Sequence, residues 1–169
     1  QSQLSELKTV LEQYSNSPVK LIGHSWGAML SFIFAAQNPS LVKKLILVSS
    51  GVFEDKYAES IMATRLGRLT GAERVRVESL LRTLDDPDIK GKNLVLAELG
   101  NCLSGVDSYD PLLSDIEVVN CQYDIYESVW REAKHLRTSG ELLAFGSRIQ
   151  CPVVAIHGDY DPHPAVGVQ

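Results

Sequence analysis

Five consecutive residues, Gly23-His24-Ser25-Trp26-Gly27, combine residue types and spacing that describe nucleophilic chemistry. They follow a short apolar run, Pro18-Val19-Lys20-Leu21-Ile22, and open a largely apolar segment, Ala28 to Gln37, that reads as a buried helix. In the nucleophile elbow written G-x-S-x-G, the serine sits on a sharp, strained strand-to-helix turn, where a side chain two residues to either side would collide with it. Glycine at 23 and 27 is expected to remove that obstacle. The turn would lift Ser25 Oγ clear of the sheet edge and aim the Trp26 backbone N–H, at the start of the helix, where a tetrahedral oxyanion forms. An ordinary glycine-rich turn is the competing reading. The strand formers Val19, Leu21 and Ile22 before it, and Met29, Leu30, Phe32, Ile33 and Phe34 after it, favour the elbow.

A second stretch could face the first. Pro152-Val153-Val154-Ala155-Ile156 reads as a strand and runs into His157-Gly158-Asp159-Tyr160-Asp161-Pro162-His163-Pro164. Ligands of open parallel sheets bind beyond the carboxyl ends of the strands, so this acidic loop and the elbow should lie on one edge.

The elements between them follow from periodicity. Leu4, Leu7, Val10, Leu11 and Tyr14 recur at helical spacing, so the first fifteen residues predict an amphipathic helix ended by Ser15-Asn16-Ser17-Pro18. Asn38-Pro39 stops the elbow helix. Leu45-Ile46-Leu47-Val48 is continuously apolar, the pattern of a parallel strand buried on both faces. From Val52 to about Ser147, helical segments alternate with turn clusters: Thr70-Gly71, Asp85-Asp86-Pro87-Asp88 and Asp107-Ser108-Tyr109-Asp110-Pro111. One helix carries Tyr126, Val129, Trp130, Ala133 and Leu136 on one face and closes at Ser139-Gly140. A block of helices between consecutive strands predicts a lid.

Composition narrows the classes. A chain of 169 residues, 44% apolar and 22% charged, suits one globular domain or most of one. A net charge of −5 without long runs of either sign gives nucleic acid or an anionic membrane nothing to bind. The longest nearly apolar stretch, Trp26 to Ala36, is too short to span a bilayer. Cys102, Cys121 and Cys151 are odd in number and lack metal-ligand spacing, which favours reduced thiols and a cytoplasmic location, with no signal peptide visible.

Gly-His-Ser-Trp-Gly after one strand, a helical insertion after the next and His-Gly-Asp-Tyr-Asp after a third together resemble the α/β-hydrolase family over nearly the whole chain. The resemblance implies an α/β fold: a partial α/β-hydrolase, with parallel strands flanked by helices. Core would span 1–51 and 148–169 and a helical lid 52–147, with the three strands matching the fifth to seventh of the family's eight. Trp after the serine resembles the proline-iminopeptidase-like and haloperoxidase-like branches. The triad acid would be Asp161, with Asp159 the runner-up and a turn-capping aspartate the competing role.

The family's histidine would follow one more helix and strand, and the second oxyanion donor would precede residue 1. The chain is therefore expected to be an internal piece, exposing a strand edge prone to aggregation. Of the histidines present, His24 is turned away from the serine by the elbow and His135 lies on a lid helix. His157 precedes the acid, and His163 is expected to be poorly placed to bridge acid and serine; all four read as structural, with His163 the strongest exception. Glu54, Asp55 and Glu59 would either recognise a substrate amine or form a solvated helix face.

The expected function is a serine hydrolase cleaving an ester or amide of a small, partly apolar molecule through an acyl-enzyme. Ser25 would attack, a histidine outside the chain would shuttle the proton, Asp161 would orient it, and the Trp26 N–H would hold the oxyanion. No metal or organic cofactor is implied, and serine at the elbow argues against the dehalogenase and epoxide-hydrolase branches. The alternatives are a proline-iminopeptidase-like aminopeptidase and a non-catalytic binding protein on the same fold.

Overall fold

A computed structural model of the chain describes residues 2–110 and 120–168. Pro111, the end of one expected turn cluster, lies outside the described residues. Three strands, β1 (Val19–His24), β2 (Val42–Val48) and β3 (Val153–Ile156), form a parallel sheet in the order β1-β2-β3. The register sets Leu21 beside Leu45 and Leu45 beside Val153, with Ile22, Ile46 and Val154 alongside one another on the opposite face.

Helix α1 (Gln3–Tyr14) precedes the sheet and α2 (Trp26–Gln37) follows the elbow. Leu4, Leu7 and Leu11 turn one stripe of α1 onto the core. α2 is buried over most of its circumference, from Ala28 and Met29 to Ala35 and Ala36, as expected for a helix without charged residues. It ends where Asn38 folds back: its backbone N–H and its side-chain Nδ2 both donate to the Phe34 carbonyl, at 2.8 and 3.2 Å. Phe34, Met29 and Leu45 are fully enclosed at the centre of this layer. Burial of each stabilises the fold by roughly 1.5–3 kcal/mol.

β2 departs from the expectation of burial on both faces. Val42, Leu45 and Leu47 are buried against α2, whereas Ile46 and Val48 on the other face are only partly covered. The same bare face continues through Ile22, 65% exposed, and Ile156, 55% exposed. The apolar run was legible in the sequence, but the layer that would cover its second face is not among the described residues.

The insertion comprises α3 (Glu59–Arg68), α4 (Gly71–Asp85), α5 (Lys92–Asp107), α6 (Tyr123–Thr138) and α7 (Glu141–Ala144), the last followed by a short 3-10 turn, Phe145–Arg148. No strand interrupts it among the described residues. Thr70 starts α4 with a capping box: its hydroxyl accepts from the Glu73 N–H, and the Glu73 carboxylate accepts from the Thr70 N–H. Two apolar clusters divide the insertion. Val77, Leu84, Leu96, Leu99 and Leu103 hold α4 and α5 together, with Met62 and Leu66 of α3 against them. Ala133, Leu142 and Phe145 join the α2 core instead. Helix α6 spans both clusters, with Tyr123 in one and Trp130 and Leu136 in the other. No described helix is long and apolar enough to cross a membrane, and Cys102, Cys121 and Cys151 are free thiols.

Candidate active site

The elbow is built from the backbone. Ser25 takes φ 53° and ψ −121°, a sparsely populated conformation for a residue with a side chain, which costs about 1–3 kcal/mol. Three hydrogen bonds hold it there. The Ser25 N–H donates to the Val48 carbonyl of β2 at 3.0 Å, and the Ser25 carbonyl accepts from the N–H groups of Ala28 (3.0 Å) and Met29 (3.4 Å). The hydroxyl caps nothing. A serine before a helix ordinarily accepts from the first-turn N–H groups, and α2 has no such side-chain cap. Oγ is therefore left for other chemistry, and the N–H of the next residue, Trp26, is a first-turn donor without an intrahelical partner.

The two elbow glycines are not equivalent. A Cβ on Gly23 would lie 2.2 Å from the Gly27 carbonyl oxygen and 2.6 Å from Ser31 Oγ, so only glycine fits at 23. A Cβ on Gly27 would meet nothing within 4 Å. The expectation that both glycines clear the serine is thus corrected. The tight approach is the Gly27 backbone against Gly23, which needs glycine on one side only.

The acid loop leaves β3 on the same sheet edge. Ser49, itself at φ 45°, donates its N–H to the Ile156 carbonyl at 2.9 Å, so the ends of all three strands are stitched together. β1 and β3 are two strand spacings apart, roughly 10 Å, which leaves room for an imidazole between side chains reaching inward. Asp161 accepts twice on Oδ1, from the His163 N–H at 2.9 Å and from His163 Nδ1 at 2.7 Å. Facing a carboxylate, Nδ1 carries the proton. Burial alone would raise the Asp161 pKa, but both His163 hydrogen bonds and the charges of His163 and His157 outweigh it, holding the carboxyl below its ordinary range. Asp161 therefore caps a turn and also binds an imidazole. Asp159 is exposed.

The histidines sort themselves by geometry. His157 Nε2 lies 2.7 Å from the His163 carbonyl and 3.7 Å from Asp161 Oδ2, so its proton goes to the carbonyl. His24 is exposed on the bare sheet face, and His135 sits in the last turn of α6. His163, expected to be poorly placed, is bonded to Asp161 and lines the same cavity as Ser25. Among the described residues, no hydrogen bond joins it to Ser25.

That cavity, about 280 Å³, has Ser25, Gly51, Val52 and His163 on the sheet side and Ile61, Met62, Tyr126 and Trp130 on the helical side. Two cations also line it, Arg65 and Arg137. Arg65 is held by a bidentate pair with Asp107, Nε to Oδ1 at 2.8 Å and Nη2 to Oδ2 at 2.6 Å. Burial pushes the Tyr126 hydroxyl pKa up, with Arg65 opposing. Trp26 is not on this wall: its ring packs on Trp130 at 5.8 Å between centroids, and its Nε1 donates to Gln3 Oε1 at 2.7 Å. The acidic residues suspected of recognising an amine are not there either. Glu54 pairs with Lys56, Asp55 with Arg137, and Glu59 is exposed.

Sequence reasoning missed Arg65, Arg137 and Arg68. Arg68 donates Nη2 to the Tyr160 carbonyl at 2.7 Å and Nη1 to the Val106 carbonyl at 2.7 Å, with its guanidinium 3.8 Å from the Tyr160 ring centre. It ties the acid loop to the insertion across 92 residues of sequence. Three arginines on amphipathic helices carry no local signal that separates them from solvated ones.

Comparison with known proteins gives the fold an independent footing. A family profile described as the alpha/beta hydrolase fold matches residues 2–86. No curated protein sequence matches the chain significantly. Among solved structures, VinJ aligns over 98% of this chain and 57% of its own at 15% identity and a TM-score of 0.62. Proline iminopeptidase from Mycobacterium smegmatis aligns over 97% of this chain and 56% of its own, at 15% identity and a TM-score of 0.56. A loop variant of haloalkane dehalogenase DbeA from Bradyrhizobium elkanii aligns over 98% and 59%, at 18% identity and a TM-score of 0.51. At these identities the likeness is one of fold, and the chain spans little more than half the length of each.

Proposed function

The chain belongs to the alpha/beta hydrolase fold family, and from that premise we propose that it carries the nucleophile and acid of a serine hydrolase that cleaves an ester or amide of a small molecule. One observation carries the reading. Ser25 is held at φ 53° with an uncommitted hydroxyl on the wall of a cavity that also exposes an imidazole bonded to Asp161.

In this reading Ser25 Oγ attacks the substrate carbonyl and an imidazole takes its proton. The Trp26 N–H and the positive end of α2 stabilise the oxyanion, and collapse of the tetrahedral intermediate expels the leaving group, to which the imidazolium returns the proton. Water then repeats the sequence on the acyl-enzyme. Asp161 fixes the imidazole tautomer and favours its charged form. The family resemblance assigns the imidazole to a histidine beyond residue 169.

A second reading has a specific observation in its favour: His163 Nδ1 is already on Asp161 Oδ1 at 2.7 Å, leaving Nε2 as the basic nitrogen. Turnover of p-nitrophenyl butyrate separates the two. Under the first, the full-length protein hydrolyses it in a Ser25-dependent way while residues 1–169 do no better than their Ser25→Ala variant. Serine-dependent turnover by residues 1–169, abolished by His163→Gln, would instead identify His163 as the base. A full-length protein whose turnover survives Ser25→Ala would overturn both.

A further inference from the structure

We propose that the Ser25 cavity selects substrates carrying an anionic group, a carboxylate at the end of a short acyl chain, and that Arg137 is the residue that binds it. This deepens the hydrolase reading and rests on it for the position of the scissile carbonyl. Among the described residues, the wall holds two guanidinium groups and no carboxylate.

The two arginines differ in what they have left to offer. Arg65 spends Nε and Nη2 on the bidentate Asp107 pair and is largely neutralised by it. Among the described residues, Arg137 makes a single contact with an acid, Nε to Asp55 Oδ1, at 3.4 Å, which is long for a charge-assisted bond. Its side chain is only 11% exposed, against 35% for Asp55. A guanidinium has five N–H donors in a planar fork, and removing one from water is costly unless those donors are met. Asp55 does not line the Ser25 cavity; it lines a neighbouring surface depression with Glu54 and Lys56, and Arg137 lines both. Arg137 is thus nearly buried, lines the Ser25 cavity, and among the described residues has only its Nε engaged by an acid.

The same wall disfavours a substrate ammonium, which would meet two cations and no acid among the described residues. Beside Arg137 and Ser25, the same cavity is lined by the apolar side chains of Val52, Ile61, Met62 and Trp130, which suit a short methylene chain. The predicted substrate is therefore a hemiester or hemiamide of a short dicarboxylic acid, with its free carboxylate on Arg137 and its ester carbonyl at Ser25.

The test uses the full-length protein with mono-p-nitrophenyl glutarate and p-nitrophenyl butyrate, and separately with glutarate as a non-reacting ligand read by tryptophan fluorescence, since Trp130 lines the cavity. The glutarate ester is expected to exceed the butyrate ester in kcat/KM. Arg137→Gln should lower that ratio roughly 10- to 100-fold, the loss expected for hydrogen bonds to a charged group. Arg137→Lys, which keeps the charge and guards against a folding defect, should retain part of the preference. Glutarate binding should weaken in the same order. A preference for glutarate that Arg137→Gln leaves untouched, or butyrate turnover with no glutarate binding, would overturn the proposal while leaving the hydrolase reading standing. Arg137-dependent glutarate binding without turnover of either ester would support the anion site and remove the hydrolase reading. Absence of both binding and turnover would remove both.

Discussion

Ser25 departs from what a serine at a helix start usually does. Its backbone is strained and its hydroxyl is unused, a combination that costs stability and has a rationale only if the oxygen is needed elsewhere. In the full-length protein, Ser25→Ala should reduce ester kcat/KM by at least about 10⁴-fold while leaving stability unchanged or slightly raised. The glycines make a sharper structural test. Gly23→Ala drives a Cβ into backbone and should cost roughly 3 kcal/mol in chemical denaturation. Gly27→Ala, in open space on α2, should be neutral or stabilising by up to about 1 kcal/mol.

Asp161 gives a prediction in pH. Its carboxyl is held below the ordinary range, so the folded state binds fewer protons than the unfolded chain just below the unfolded value near 3.9. The resulting stability is fully present above that value and is lost as pH falls through the lower folded value. Denaturation midpoints should therefore fall more steeply between about pH 5 and pH 2 for the parent than for Asp161→Asn. The same substitution should lower kcat/KM by about 10³–10⁴-fold in the full-length protein.

Among the elements, the elbow and its flanking strand and helix were legible because every signal there is local: strand formers, a glycine on each side of the serine, and an apolar helix closed by Asn38-Pro39. Helices were legible in the insertion for the same reason, through turn clusters such as Thr70-Gly71 that separate them and the apolar face of α6. What bridges elements was not. Arg68 reaches Tyr160 across 92 residues, Arg137 reaches Asp55 across 82, and Arg65 reaches Asp107 across 42, and each looks like an ordinary surface arginine in its own window. His163 shows a different limit. Two residues beyond the acid in an extended chain it would share a face with Asp161 but stand roughly 7 Å along the backbone from it, whereas in the turn between Pro162 and Pro164 its backbone N–H and Nδ1 both come back to Asp161 Oδ1. Arg68 makes the element-level prediction: Arg68→Gln should cost about 1.5–3 kcal/mol and speed amide exchange around Tyr160 and Asp161, because one charged hydrogen bond holds that loop to α3 and a second holds α3 to α5.

Across the whole molecule, the sheet has one face packed by helices and one bare among the described residues. Ile22, Val154 and Ile156 stand 65%, 39% and 55% exposed there, and β3 is an exposed strand at the sheet's end. Such a surface associates in water. Residues 1–169 alone should bind a hydrophobic dye and form concentration-dependent aggregates, both reduced by Ile22→Lys together with Ile156→Lys. Burial on both faces was expected because an apolar run reports only that a residue avoids water, and the partner layer need not lie in the same stretch of chain. The catalytic reading depends on the opposite edge, where three strand ends bring the elbow and the acid loop together. Its most direct test is labelling of the full-length protein with a fluorophosphonate, followed by peptide mass analysis. A single phosphonyl adduct on the peptide containing Ser25, absent in Ser25→Ala, is the predicted result; an unmodified Ser25 under conditions that label a known serine esterase would contradict it.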